Sequence, residues 1–185
     1  MTATRRGFLI AMAGAGTALA ACGNGVGSGG AATIDARVDA TRDFLFKRYP
    51  GTQDLAHQAA GVLYIPLMTE AGLGLGGAYG RGALRINDVT VDYYSAVKAS
   101  AGLQIGVQQV AHALFFMTPE ALQEFRSSNG WAAGADMKYA VADEGGTLQM
   151  DTTSSLAPVI ALVFGQAGLM VGASIAGTKY TRIIP

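Results

Sequence analysis

A six-residue pattern, Ala-Gly-Leu-x-aliphatic-Gly, occurs three times in this chain. The copies are Ala71-Gly72-Leu73-Gly74-Leu75-Gly76, Ala101-Gly102-Leu103-Gln104-Ile105-Gly106 and Ala167-Gly168-Leu169-Met170-Val171-Gly172. Alternate side chains of a strand point to opposite faces. Both glycines and the x position then share one face, and the two aliphatic residues share the other. Interior glycine weakens a strand, so it usually marks a bend or a close approach by another backbone or a ligand. Two uses follow: tight packing of a curved sheet or of helices, which we prefer, or the floor of a groove for an acyl chain. A phosphate loop does not fit. The stretch after Gly72 continues as Gly80-Arg81-Gly82, with glycines two apart, and a dinucleotide fingerprint needs a helix there.

The segments around the repeats read clearly. Residues 34–49 predict a helix, with Ile34, Val38, Leu45 and Tyr49 on one face. Asp35, Asp39 and Asp43 make a neighbouring stripe, and Asp39–Arg42 and Asp43–Lys47 are spaced for ion pairs. Pro50-Gly51 stops this helix, and a shorter one follows over residues 52–60. Residues 61–66 (GVLYIP) read as a short strand. Asn87-Asp88 is a hairpin turn. Thr118-Pro119-Glu120 opens a helix with an N-cap, a first-turn proline and a first-turn acid; Leu122 and Phe125 face the core, and Asn129-Gly130 ends it. Trp131 reads as a core plug. Residues 139–142 and 147–150 flank a second turn at Asp143-Glu144-Gly145-Gly146. Residues 152–178 carry no charge and are long enough to test as a membrane span. Pro158, Gln166 and the break at Gly165 argue instead for two buried strands.

The first 21 residues form a basic, apolar, small-residue leader, the order of a bacterial secretory signal. Arg5-Arg6 followed by Gly7-Phe8-Leu9 points to twin-arginine export. Leu19-Ala20-Ala21-Cys22 resembles a lipobox, which makes Cys22 the acylated N-terminus of the mature protein. The apolar run of about 15 residues is short for a membrane span, which takes about 20. Residues 22–33 read as a glycine-rich tether, and residues 34–185 as one domain. The expected location is the periplasmic face of the cell envelope. Gly23 lacks the aspartate linked to inner-membrane retention, which favours the outer membrane.

Losing Arg5 and Arg6 takes the basic residues from 13 to 11, against 13 acids. A near-neutral chain lacks the basic footprint that nucleic acid requires. With Cys22 the only cysteine, no intramolecular disulfide forms. The two histidines, His57 and His112, have no second ligand at helical spacing, so neither a metal nor another cofactor is expected. Ser174 sits in Gly-Ala-Ser-Ile-Ala-Gly, which is not a nucleophile elbow. Asp143-Glu144 reads as a solvated turn. Nothing assembles a nucleophile, a base and an oxyanion hole, so the chain is not expected to be an enzyme.

Taken in order, GVLYIP, EAGLGLGGAYGRGAL, Tyr93-Tyr94 leading to SAGLQIGVQQ, FFMTPEALQEFRSSNGWAAGAD and GLMVGASIAGTKYTRI resemble the SYLF domain over residues 61–184. That resemblance implies phospholipid binding, notably of phosphoinositides, without catalysis. Two positions depart from the family pattern: Asp92 stands where glycine is expected, and Ala176 stands where an acid is common. Eukaryotic members touch membranes through a basic amphipathic N-terminal helix. The corresponding cations here are Arg37, Arg42, Lys47 and Arg48, the candidate lipid-binding residues, on a helix that also carries aspartates. Such aspartates disfavour membrane-surface binding, so packing on the domain is the preferred role of this helix. The expected fold is α+β: a curved, glycine-rich, mainly antiparallel sheet, open or partly closed, covered by helices. The expected partner is a phospholipid or membrane surface. Actin is not expected for an exported lipoprotein. The alternative is an envelope scaffold that binds a protein, not yet specified, through its sheet face.

Overall fold

Two very long strands joined by a two-residue turn organise the molecule. The computed structural model describes residues 28–134, 138–139, 141–142, 148–149, 157–165, 168–169 and 174–185. Strand β1 (Gly61–Ile86) pairs antiparallel with β2 (Val89–Phe116) from end to end. Asn87 and Asp88 connect them with φ of 50° and 63°. This left-handed pair is what a tight hairpin turn needs, and Asn and Asp tolerate it. The expected short strand at residues 61–66 is therefore the first quarter of a 26-residue strand.

Strands usually run to about ten residues, because twist accumulates. Three register shifts bend this pair, between Ile65 and Met68, Leu73 and Gly74, and Leu84 and Arg85. Pro66 sits in the first, where a missing N–H does least harm to the ladder. The first two copies of the repeat lie side by side across the hairpin, with Gly72 opposite Gly106 and Gly74 opposite Gly102. The curl is tight enough for β1 to meet itself. A Cβ on Gly80 would lie 2.6 Å from the Leu67 carbonyl oxygen, and one on Gly82 would run into the Tyr64 carbonyl. The start of the strand thus packs on its own end.

Strand β2 carries two further partners at its opposite ends. Residues 111–116 pair with β7 (Val159–Gly165), and residues 93–97 pair with β9 (Lys179–Ile183). Strand β3 (Trp131–Ala132) extends the sheet beyond β9; β4 (Lys138–Tyr139) pairs parallel with β7, and β8 (Gly168–Leu169) antiparallel. Strands β5 (Val141–Ala142) and β6 (Leu148–Gln149) form a separate pair, as expected of the second hairpin, whose turn lies outside the described residues. The result is a seven-stranded, mainly antiparallel, curled half-barrel. The uncharged segment over residues 152–178 contributes β7 and β8 where it is described. No described helix is long and apolar enough to cross a membrane.

Both faces of the sheet are covered. Alternation sends Val62, Tyr64, Ala113, Phe115, Ile160 and Leu162 into one core, and Leu63, Ile65, Leu114, Phe116, Ala161 and Val163 into the other. Continuous apolar runs in GVLYI, ALFF and IALVF are the sequence mark of strands buried on both sides. Helix α1 (Gly30–Arg48) covers the first face through Ile34, Val38 and Leu45, with Tyr49 just beyond it, the face read from the sequence. It begins inside the expected tether, four residues earlier than predicted. Helix α2 (Gly51–Gln58) adds Leu55 to the same core. Helix α3 (Pro119–Ser127) closes the second face. The Thr118 hydroxyl accepts from the Ala121 N–H at 3.2 Å, a cap worth about 1 kcal/mol. The helix stops at Ser127, before the expected Asn129-Gly130. Its Phe125 ring centroid lies 4.7 Å from those of Tyr94 and Phe116, 5.5 Å from Trp131 and 6.2 Å from Tyr180. Trp131 is half-buried against this cluster.

Gly82→Ala is expected to cost about 3 kcal/mol, the upper end for overpacking, because backbone must move to admit the methyl. Gly77→Ala is the control: its Cβ would meet only the Lys98 carbonyl at 3.6 Å, and the change should be near neutral. Urea midpoints of the two variants check this, and equal midpoints would remove the self-packing of β1 as a constraint.

Candidate lipid-binding groove

Helix α1 lies on the sheet with two chemically different flanks. On a 3.6-residue wheel Asp35, Asp39 and Arg42 fall to one side of the buried stripe, and Thr33, Arg37, Thr41 and Phe44 to the other. The first flank is bonded to the hairpin. Asp35 accepts from the Tyr93 hydroxyl at 2.7 Å and from the Thr90 hydroxyl at 2.8 Å. Burial, then the bond to Asp35, pushes the Tyr93 phenol up to about 12, so it remains a donor at any physiological pH. Asp39 meets the buried Arg85 guanidinium at 2.7 Å. Arg42 reaches Asp88 in the turn at 3.2 Å, Asp43 at 2.9 Å and Asp39 at 3.9 Å.

Asp35 and Asp39 dock the helix on the hairpin, as its preferred packing role requires, and the expected Asp39–Arg42 pair is present at 3.9 Å. The Arg42 guanidinium is shared among three carboxylates. Asp43 pairs with Arg42, one residue away, and the expected partner Lys47 is exposed. The other candidates, Arg37, Lys47 and Arg48, are all exposed on the opposite half of the helix. Arg48 lies over the Tyr49 ring at 5.5 Å. Among the described residues Arg37 has no ion pair.

The second flank leaves a groove. Phe44 from α1, Pro66 and Leu67 from β1, Val110 and Ala111 from β2 and Phe164 from β7 line an apolar cavity of about 250 Å³. Within that lining the Phe44 and Phe164 rings stack on each other, centroids 6.1 Å apart. Leu67 also lines a second, more polar recess of about 200 Å³, together with Arg37, Thr69, Tyr79 and Arg81. The two cavities therefore adjoin at Leu67 along one side of the helix. Sequence reasoning found Arg37 but missed the groove, because its walls come from four elements. The bulge at Pro66 was the available signal, since it turns Leu67 outward.

Other polar groups serve the fold. Asp92, one of the family departures, contacts Arg126 at 2.9 Å and Arg182 at 3.5 Å, tying α3 and β9 to β2. His57 is exposed on α2. His112 is fully buried in β2, and its Nε2 lies 2.8 Å from the Tyr180 hydroxyl. Burial, with a smaller push from Lys98, holds its imidazole down at about 3. No group of three potential metal ligands occurs among the described residues. Arg5, Arg6 and Cys22 lie outside the described residues, as do Asp143 and Glu144.

Comparison with known families bears on residues 97–182. They match the Ysc84 family model, described as a Las17-binding protein actin regulator. This stretch belongs to the SYLF family. No curated protein matches the chain. The matched stretch begins within β2, and β1, which lies outside the match, pairs with that strand along its length. Members of the family are lipid-binding or actin-regulating domains.

Asp39→Ala should destabilise the protein by about 2 kcal/mol in urea melts, since it strands the buried Arg85 charge. The full penalty of about 3–5 kcal/mol for a buried pair is discounted because Asp39 is half exposed. Lys47→Ala should stay within about 0.5 kcal/mol. His112 gives a pH signature. Its folded value lies below the unfolded one of about 6.5, so below pH 6.5 only the unfolded chain takes up the proton. Stability should therefore fall between pH 6.5 and 5 by up to about 1.4 kcal/mol per unit. The fall should be shallower in His112→Gln; an identical slope would mean that His112 is not the group responsible.

Proposed function

We propose that this chain is an exported lipoprotein, anchored to the cell envelope through Cys22, whose SYLF domain binds lipid and catalyses no reaction. The observation that carries the lipid reading is the groove beside α1. It is apolar along most of its length, open to solvent, and has cationic side chains at one end only. This is the polarity profile of an amphiphile. The family assignment points the same way. Arg5-Arg6 and the Leu-Ala-Ala-Cys sequence support export and acylation, with the periplasmic face and the outer membrane as the location. The Las17 and actin partners named for the family model are not proposed for this chain, because an envelope lipoprotein would not meet them.

An acyl anchor contributes about 0.8 kcal/mol per buried CH₂, so two chains on Cys22 already hold the protein on a membrane. The groove is then not needed for attachment. Recognition or carriage of a lipid is the work left for it. A second reading has one observation in its favour. Tyr79 and Val97 are direct cross-strand partners, about half exposed at 52% and 49%, and together make an apolar spot where a protein partner could dock on the sheet.

Full-length chain carrying Cys22→Ser, purified without detergent, separates the two in native mass spectrometry. A lipid-binding protein should keep a stoichiometric lipid, and Ala40→Trp should lose it, because Ala40 is an exposed α1 residue that lines the apolar cavity. A lipid-free protein that also ignores liposomes would leave the scaffold reading and direct attention to Tyr79 and Val97.

A further inference from the structure

Resting on the lipid reading, we infer that the groove takes one anionic single-chain lipid, a fatty acid or a lysophospholipid, and not a diacyl phospholipid. Size is the first argument. The apolar cavity of about 250 Å³ falls below the roughly 300 Å³ at which small-molecule sites begin. It accommodates the buried part of one hydrocarbon chain. A second chain would need about the same volume again, which the cavity beside the stacked Phe44 and Phe164 rings does not supply.

The second argument is that the walls are fixed. A groove under a helix widens when the helix lifts. Here the far flank of α1 is held by Asp35 on Tyr93 and Thr90, by Asp39 on Arg85, and by Arg42 on Asp88. Lifting α1 would leave the Arg85 guanidinium buried without its carboxylate, which is costly. The opposite wall is β-sheet, held by the pairing of Ala111 with Phe164.

The third argument is charge placement. Arg37 and Arg81 line the polar recess, whereas the residues around the apolar cavity carry no charge. Leu67 lies on the boundary. A single chain laid in the apolar cavity puts its terminal group beside the recess, where Thr69 and Tyr79 add polar side chains. A carboxylate or a phosphate there meets the exposed Arg37 guanidinium; charge-assisted hydrogen bonds of this kind are the strong ones. Both headgroups share this chemistry.

Calorimetric titration of the full-length Cys22→Ser chain tests the assignment, with each amphiphile kept below its micelle concentration. The probes are palmitate, lysophosphatidylglycerol, the uncharged monolauroylglycerol and a soluble short-chain diacyl phosphatidylglycerol. One palmitate or one lysophosphatidylglycerol should bind per chain, and whichever binds tighter identifies the headgroup. Arg37→Gln should weaken that ligand about tenfold, the equivalent of about 1.4 kcal/mol. It should leave the uncharged monolauroylglycerol unchanged, an outcome that a general loss of structure would not give. Ala40→Trp should abolish binding of all single-chain ligands while leaving the circular dichroism spectrum intact. Equal or tighter binding of the diacyl lipid would overturn the single-chain assignment and leave lipid binding standing. Binding unaffected by Ala40→Trp would overturn the groove as the site. Binding of none of the four would overturn both this inference and the lipid reading on which it rests.

Discussion

The self-contact of β1 sets the shape of this molecule. A 26-residue strand cannot run straight through a domain of this size, and this one curls until Tyr64–Met68 backbone meets Gly80 and Gly82. Bare glycine permits that approach, and the three bulges supply the bends. The curl then dictates the rest. It gives the sheet two faces that both need cover, so α1 and α3 pack from opposite sides. It turns the bulge at Pro66 outward under the flank of α1, which makes one wall of the groove.

The docking of α1 shows how polar contacts can position an apolar site. Ile34, Val38 and Leu45 supply the burial, but an apolar stripe alone would allow the helix to roll. Asp35, Asp39 and Arg42 remove that freedom by bonding to Tyr93, Thr90, Arg85 and Asp88. The network lies on one flank, so the groove is left on the other. Charged side chains that read from the sequence as an obstacle to membrane contact therefore act inside the domain, and of the exposed helix cations Arg37 lies beside the groove.

Much of the architecture was legible because it depends on local chemistry. The α1 core face followed from 3.6-residue spacing, the hairpin turn from Asn87-Asp88, and the α3 cap from Thr118-Pro119. Pairing of the two central repeats, Gly72 with Gly106, fits their common pattern. The length of β1 was not legible: the periodic reading ended it at Pro66, because proline normally breaks a ladder, and only the register with β2 shows that the strand passes through a bulge and continues. The role of Arg42 was hidden for a similar reason. Its partner Asp88 lies 46 residues away in sequence and becomes a neighbour only after the hairpin folds under the helix.

By itself, the sequence determined the class of fold, the SYLF resemblance, the helix faces, the turns and the export and acylation motifs, since each rests on residues a few positions apart. The tertiary structure decided which charges are used internally, where the curled strand touches itself, and that Phe44, Leu67, Val110 and Phe164 share one cavity. These are contacts between segments far apart in the chain. No periodicity encodes them, because they arise from the curvature that bulges and glycines accumulate along β1.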